Sequence, residues 1–180
     1  MKSLILSLTF TMLMSCLFAQ TYTATDNGSD IKFSIKNFGL NVSGSFKQLK
    51  GKILFNPTDL SSSSINAIVD AVSVNTGNDS RDNHLKKEEY FDVKKYPVIS
   101  FVSNKITKSA NGSFLTEGTI TIKGVAKTIS FPFTATPKGE DYLFEGQVKL
   151  NRRDFGVGGS SLVLSDNLSV SLSILAKKSN

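Results

Sequence analysis

Apolar and polar residues alternate with period two through much of the chain. Ile31, Phe33 and Ile35 alternate with Lys32, Ser34 and Lys36, and Ile120 and Ile122 alternate with Thr119 and Thr121. Ile129, Phe131 and Phe133 alternate with Ser130, Pro132 and Thr134. Leu168, Val170, Leu172, Ile174 and Ala176 alternate with Ser169, Ser171, Ser173 and Leu175. Period two sends successive side chains to opposite faces, so each run predicts a strand with one face on a core and the other in water. Less regular strands are predicted over 51–56, 65–75, 98–107, 113–122 and 142–151. No long segment keeps a helical period.

Turn residues punctuate these strands. Asn111-Gly112 is a hairpin signal, Lys123-Gly124 turns the next pair, and Pro137-Lys138-Gly139 the one after. Pro132 sits inside a strand pattern, where its missing N–H is tolerated at an edge or a bulge. About eight strands joined mostly by short loops predict an all-β barrel or sandwich. Eight strands closed into a barrel are just wide enough to be filled by side chains or to hold one slender ligand.

One segment breaks the pattern. Asn78, Asp79 and Ser80 precede Arg81-Asp82-Asn83-His84-Leu85-Lys86-Lys87-Glu88-Glu89, and Asp82 stands i,i+4 to Lys86 with the acid first. One or two short helical turns are expected here, ending before Pro97, which forces Tyr96 toward an extended conformation.

The first nineteen residues read as a cleaved signal peptide: Met1-Lys2, an uncharged apolar run from Leu4 to Phe18, and a small-residue cleavage site at Leu17-Phe18-Ala19. Cys16 raises the rival reading of a lipid-modified cysteine. Cleavage after Ala19 leaves residues 20–180 as one domain without cysteine, held by core burial alone. With Lys2 removed, 20 basic and 15 acidic residues leave +5. The basic residues are scattered. They read as an ordinary charged surface or as weak, transient attraction to the anionic head groups of a membrane. No nucleic-acid module is visible.

Arg81, Asp82 and His84 form the first candidate site. A guanidinium, a carboxylate and an imidazole together can hydrogen-bond a polar head group. The alternative is structural: Asp82 accepting backbone N–H groups at a turn, and Arg81 pinning the helix. His84 is the only histidine, and no cysteine or suitably placed serine accompanies it, so neither nucleophilic catalysis nor a metal site is expected. The run Asn151-Arg152-Arg153-Asp154-Phe155-Gly156-Val157-Gly158-Gly159 is the second candidate. Its glycines let N–H groups converge on an anion, with Arg152 as a further head-group contact; the alternative is a strand end with a bulge and a wide loop. The third constellation is apolar: Phe33, Phe55, Phe101, Phe131, Phe133 and Phe144 either fill a core or line a channel for a lipid tail.

A resemblance separates these alternatives. Ser73-Val74-Asn75-Thr76-Gly77, Arg81-Asp82-Asn83-His84-Leu85, Tyr90-Phe91-Asp92-Val93 and Lys95-Tyr96-Pro97 resemble the central signature of the YceI-like family. Gly44-Ser45-Phe46, Gly51 to Phe55, Gly118 to Val125 with Lys127, Asn151 to Gly156 and Ser165-Asp166-Asn167 resemble its other motifs. The resemblance implies a secreted, eight-stranded antiparallel lipocalin-like β-barrel with one or two short helical segments. It implies a polyisoprenoid or other long amphiphilic lipid as ligand, with no cofactor and no chemistry. Many relatives carry a histidine near the position of Asn37, so the head group held here is expected to differ. A periplasmic or extracellular lipid-binding or carrier protein is the leading expectation. An enzyme or processing factor acting on such a lipid, and an interaction module with a filled core, are the alternatives.

Overall fold

The computed structural model describes residues 19–179; the expected leader up to Phe18, with Cys16, lies outside the described residues. Nine strands occupy eight positions of a closed antiparallel barrel. They are β1 (Gln20–Thr25), β2 (Asp30–Asn37), β3 (Leu40–Phe55), β4 (Ser64–Asn75), β5 (Val98–Lys108), β6 (Phe114–Ile122), β7 (Val125–Lys138), β8 (Asp141–Asn151) and β9 (Leu164–Lys178). One helix, α1 (Asp79–Leu85), follows β4.

The first two strands share one barrel position. β1 pairs with the second half of β3 and the end of β9, while β2 pairs with the first half of β3 and closes the barrel on β9. The chain breaks between them, and side chains replace the lost ladder bonds. The Asp26 carboxylate accepts from the N–H groups of Gln48 at 2.8 Å and Leu49 at 2.9 Å. The Ser29 hydroxyl accepts from Leu175 N–H at 3.0 Å. Sequence reading detected neither β1 nor the first half of β3. The reason for the latter is a bulge at Gln48, whose φ is 60°. Val42, Gly44 and Phe46 face the interior before it; Leu49, Gly51, Ile53 and Phe55 face it afterwards. The extra residue switches the parity of the strand and erases a single period. Ladder shifts in β3–β4 and β5–β6 have the same effect on the neighbouring strands.

The two ends of the barrel differ. At the end where β3 finishes, Phe55 is packed edge-on against Phe114, Tyr142 and Phe144, each ring centroid 5.3 Å away, and Tyr22 packs edge-on against Tyr142 at 5.3 Å. This aromatic plug seals that end, with geometries that add to simple area burial. The opposite end gathers the β2–β3 turn, α1, the Lys123-Gly124 turn and the 152–163 loop. Pro132 lies mid-barrel, and the β7–β8 ladder stops at Phe133, one residue after a proline with no N–H to extend it. Beyond that point Phe155 and Val157 are buried against Ile122, Phe131, Val148 and Leu150, completing the wall.

Candidate binding cavity

The interior is not filled. A cavity of about 420 Å³ runs inside the barrel, within the size range of sites that enclose a small molecule. On β9 its wall extends from Leu164 to Ile174. At ~3.3 Å per residue and a strand tilt near 40°, that is a slot roughly 25 Å deep. Inward-facing Ile35, Ile99, Phe101, Ile129, Leu168 and Leu172 are only half-buried. In a close-packed core such residues touch neighbours on every side.

Five of the six phenylalanines expected on a lipid tail, Phe33, Phe101, Phe131, Phe133 and Phe144, line this cavity. Phe55 does not. It is 2% exposed and belongs to the plug, because it lies beyond the cavity at the far end of β3. Four further rings on the cavity wall, Phe46, Tyr90, Phe91 and Phe155, were not expected on the tail. Phe46 packs against Phe33 at 5.6 Å and against Phe91 at 5.5 Å, and both Phe46 and Phe91 face the cavity. Phe46 is hidden by the irregular β3, and Phe91 by its place in a charged loop. Glycines accommodate the rings. Gly44 stands opposite Phe33 in the ladder, and a β-carbon there would collide with the Phe33 ring and with the Asn75 carbonyl. A β-carbon on Gly118 would lie 2.6 Å from Phe101 Cζ and 2.5 Å from the Val102 carbonyl oxygen.

Polar groups reach the cavity mainly from the α1 end. α1 starts at Asn78, whose side chain accepts from Arg81 N–H at 2.9 Å. Arg81 and His84 are three residues apart and share a face, and both border the cavity. Arg81 Nε donates to Thr76 Oγ1 at 2.7 Å, and Nη2 donates to the Thr76 carbonyl at 2.9 Å. A guanidinium has five N–H donors, so these two bonds orient Arg81 without exhausting it. The His84 ring packs against the Tyr90 ring at 4.8 Å. Among the described residues, no three His, Cys, Asp or Glu side chains cluster as a metal site requires.

Asp82 and Arg152 sit differently from the sequence-based assignment to a head group. Asp82 is buried outside the cavity and accepts from Thr76 N–H at 2.9 Å and from Thr76 Oγ1 at 2.5 Å. Arg152 borders the cavity, but all five of its donors are occupied. Nε donates to the Ser165 carbonyl, Nη1 to those of Val157 and Gly159, and Nη2 to the Leu164 carbonyl and the Asp166 carboxylate. It holds the 152–166 loop together and has no N–H left for a ligand. The Gly156–Gly159 run is likewise part of a loop. Gly156 carries a positive φ of 64° that caps a 3₁₀ turn over Arg152–Phe155, and Gly158 N–H donates to the Glu89 carbonyl at 2.8 Å.

The fold and the motifs have counterparts in known proteins. The chain is 29% identical over 134 residues to a UPF0312 protein of Yersinia enterocolitica, covering 71% of this chain and 69% of that one. The crystal structure of Burkholderia cenocepacia BcnA superposes with a TM-score of 0.81 at 25% identity, covering 85% of this chain and 99% of BcnA. A polyisoprenoid binding domain from Saccharophagus degradans, implicated in plant cell wall breakdown, has the same fold: TM-score 0.69 at 16% identity, covering 89% and 99% of the two chains. The sequence profile of the YceI-like domain matches residues 22–176, and the chain belongs to the YceI-like family.

Proposed function

We propose that the protein binds a long, single-chain isoprenoid or similar amphiphilic lipid inside the barrel and carries it in the periplasm or outside the cell. The observation that carries this reading is the open, deep and almost wholly apolar slot. Burying apolar surface contributes roughly 25 cal/mol per Å², so a long tail binds firmly with few polar contacts. The polyisoprenoid-binding relative and the leader-like first nineteen residues support the same reading. In this account Phe33, Phe101, Phe131, Phe133 and Phe144 contact the tail. Arg81 and His84 meet the head group.

Binding rather than catalysis is supported by the company His84 keeps. Its ring is packed on Tyr90, and the cavity it borders is lined by hydrocarbon. Titration with prenols of increasing length tests the proposal. Affinity should rise with each isoprene unit until the slot is full and then level off. Flat, weak affinity at every length would sink it. Arg81→Ala should weaken a prenyl phosphate by roughly one to two orders of magnitude, since a desolvated charge-assisted bond is worth ~1.5–3 kcal/mol. It should leave the matching hydrocarbon nearly unaffected.

A further inference from the structure

We propose that a hydrophobic lip beside the cavity mouth docks the barrel onto an anionic lipid bilayer, where the ligand enters and leaves. Phe38 and Leu40 in the β2–β3 turn are 74% and 73% exposed, and Leu162 and Val163 in the adjoining loop are 106% and 39% exposed. The two segments form one lip, because Phe38 N–H donates to the Val163 carbonyl at 2.9 Å and Asn37 pairs with Leu164. Asn37 and Leu164, each next to a lip residue, line the cavity. The exposed apolar surface is therefore continuous with the apolar interior.

Neither folding nor turn geometry accounts for Phe38. It adopts φ 50° and Gly39 φ 76°, a two-residue turn that favours Asn or Asp followed by Gly. A bulky residue in this left-handed region is strained. The Lys123-Gly124 turn at the same end of the barrel has the same shape, with φ of 51° and 75°. There the side chain serves a contact, Lys123 Nζ donating to the Gly156 carbonyl at 2.8 Å. The Phe38 side chain points into water. Charge points to an anionic surface as the occupant. From Ile31 to Phe46, the strand segments that lead to the lip, the charged residues are Lys32, which pairs with Asp30, and exposed Lys36, two residues from Phe38, with no carboxylate between them, and residues 155–165 carry no charge. Four protruding apolar side chains reach interfacial depth and no further. Among the described residues no helix is long and apolar enough to cross a membrane.

The exchange role rests on the lipid-binding reading above; the docking surface does not. Flotation of the full chain with phosphatidylcholine vesicles, with and without phosphatidylglycerol, tests it. The wild type should float with the anionic vesicles. Phe38→Ser/Leu162→Ser should weaken that partition ~10-fold or more, with a melting temperature no lower than wild type because both positions are exposed. Lys36→Glu should weaken binding to the anionic vesicles only. Wild-type protein that stays in the soluble fraction, or a double variant that floats like wild type, would overturn the proposal. So would light scattering that shows a dimer dispersed by the double substitution, which would make the lip a contact between copies. Prenol added without vesicles should bind both forms equally. If neither form binds it while the wild type still floats, the docking surface stands and its role in ligand exchange falls.

Discussion

Thr76 and Asp82 form a fixed pair: the Thr76 hydroxyl donates to the Asp82 carboxylate at 2.5 Å while accepting from Arg81 Nε at 2.7 Å. The buried carboxylate thus positions the guanidinium at the cavity through one intermediate side chain, and Asp82 contributes to the site without touching it.

Asp82→Ala should therefore cost stability and head-group preference together. It leaves the half-buried Thr76 N–H without its acceptor, a loss of about 1 kcal/mol or somewhat more. It also frees Arg81 to reorient. Asp82→Asn keeps a carbonyl acceptor and should lose less of both. Chemical denaturation and prenyl phosphate titration of the same three proteins check this.

Phe55 and Phe101 should separate core from cavity. Phe55→Ala removes a fully packed ring from the plug and should destabilise the fold by about 3–5 kcal/mol, with lipid uptake per folded molecule unchanged. Phe101→Asp places a charge in the apolar wall and should abolish uptake while the barrel still folds. Melting curves read against bound lipid distinguish the two outcomes; loss of lipid in Phe55→Ala with a normal melt would place the tail site elsewhere.

Gly118→Ala should behave as an overpacking change. The new methyl meets a backbone carbonyl as well as the Phe101 ring, so the ring cannot relieve the clash alone. A cost of about 1–3 kcal/mol is expected, and any surviving fold should take up shorter prenols than wild type because Phe101 is pushed into the slot.

Stability should fall in alkali through Tyr22. Burial is the main cause that pushes its phenol above the ordinary value of 10.0, with the neighbouring Tyr142 adding to the shift. The folded state thus favours the neutral phenol more than the unfolded chain does. The stabilisation is complete below the unfolded pKa and is lost as pH rises through it toward the folded pKa. Unfolding free energy measured between about pH 9 and 11 should decline, and Tyr22→Phe should flatten that decline.

How much of this was legible in the sequence depended on periodicity. β2, β7 and β9 keep a strict period of two, and Phe33, Phe131 and Leu172 could be assigned to the interior from it. β3 could not be read whole, because the bulge at Gln48 shifts the inward face from Phe46 to Leu49. Phe55 shows the limit of the pattern. Alternation places a ring inside the barrel but not at a depth, so plug and cavity wall look alike. The polar residues were harder. Arg81 and Arg152 both stand in motif-rich segments, and only tertiary structure reveals that Thr76 takes two donors of the first while five acceptors consume the second. Phe38 and Leu162 carried no signal, because their exposure arises from two loops that meet only when β2 and β9 pair.

A slot that serves to hold an apolar chain should be occupied when the protein leaves the cell that made it. Native mass spectrometry of gently purified protein, followed by organic extraction, tests this most directly. A mass above that of the polypeptide is expected, with an extracted molecule that has a long unbranched or isoprenoid tail, and both should be lost in Phe101→Asp. Protein at the bare polypeptide mass that also fails to take up a long-chain prenol would contradict this reading.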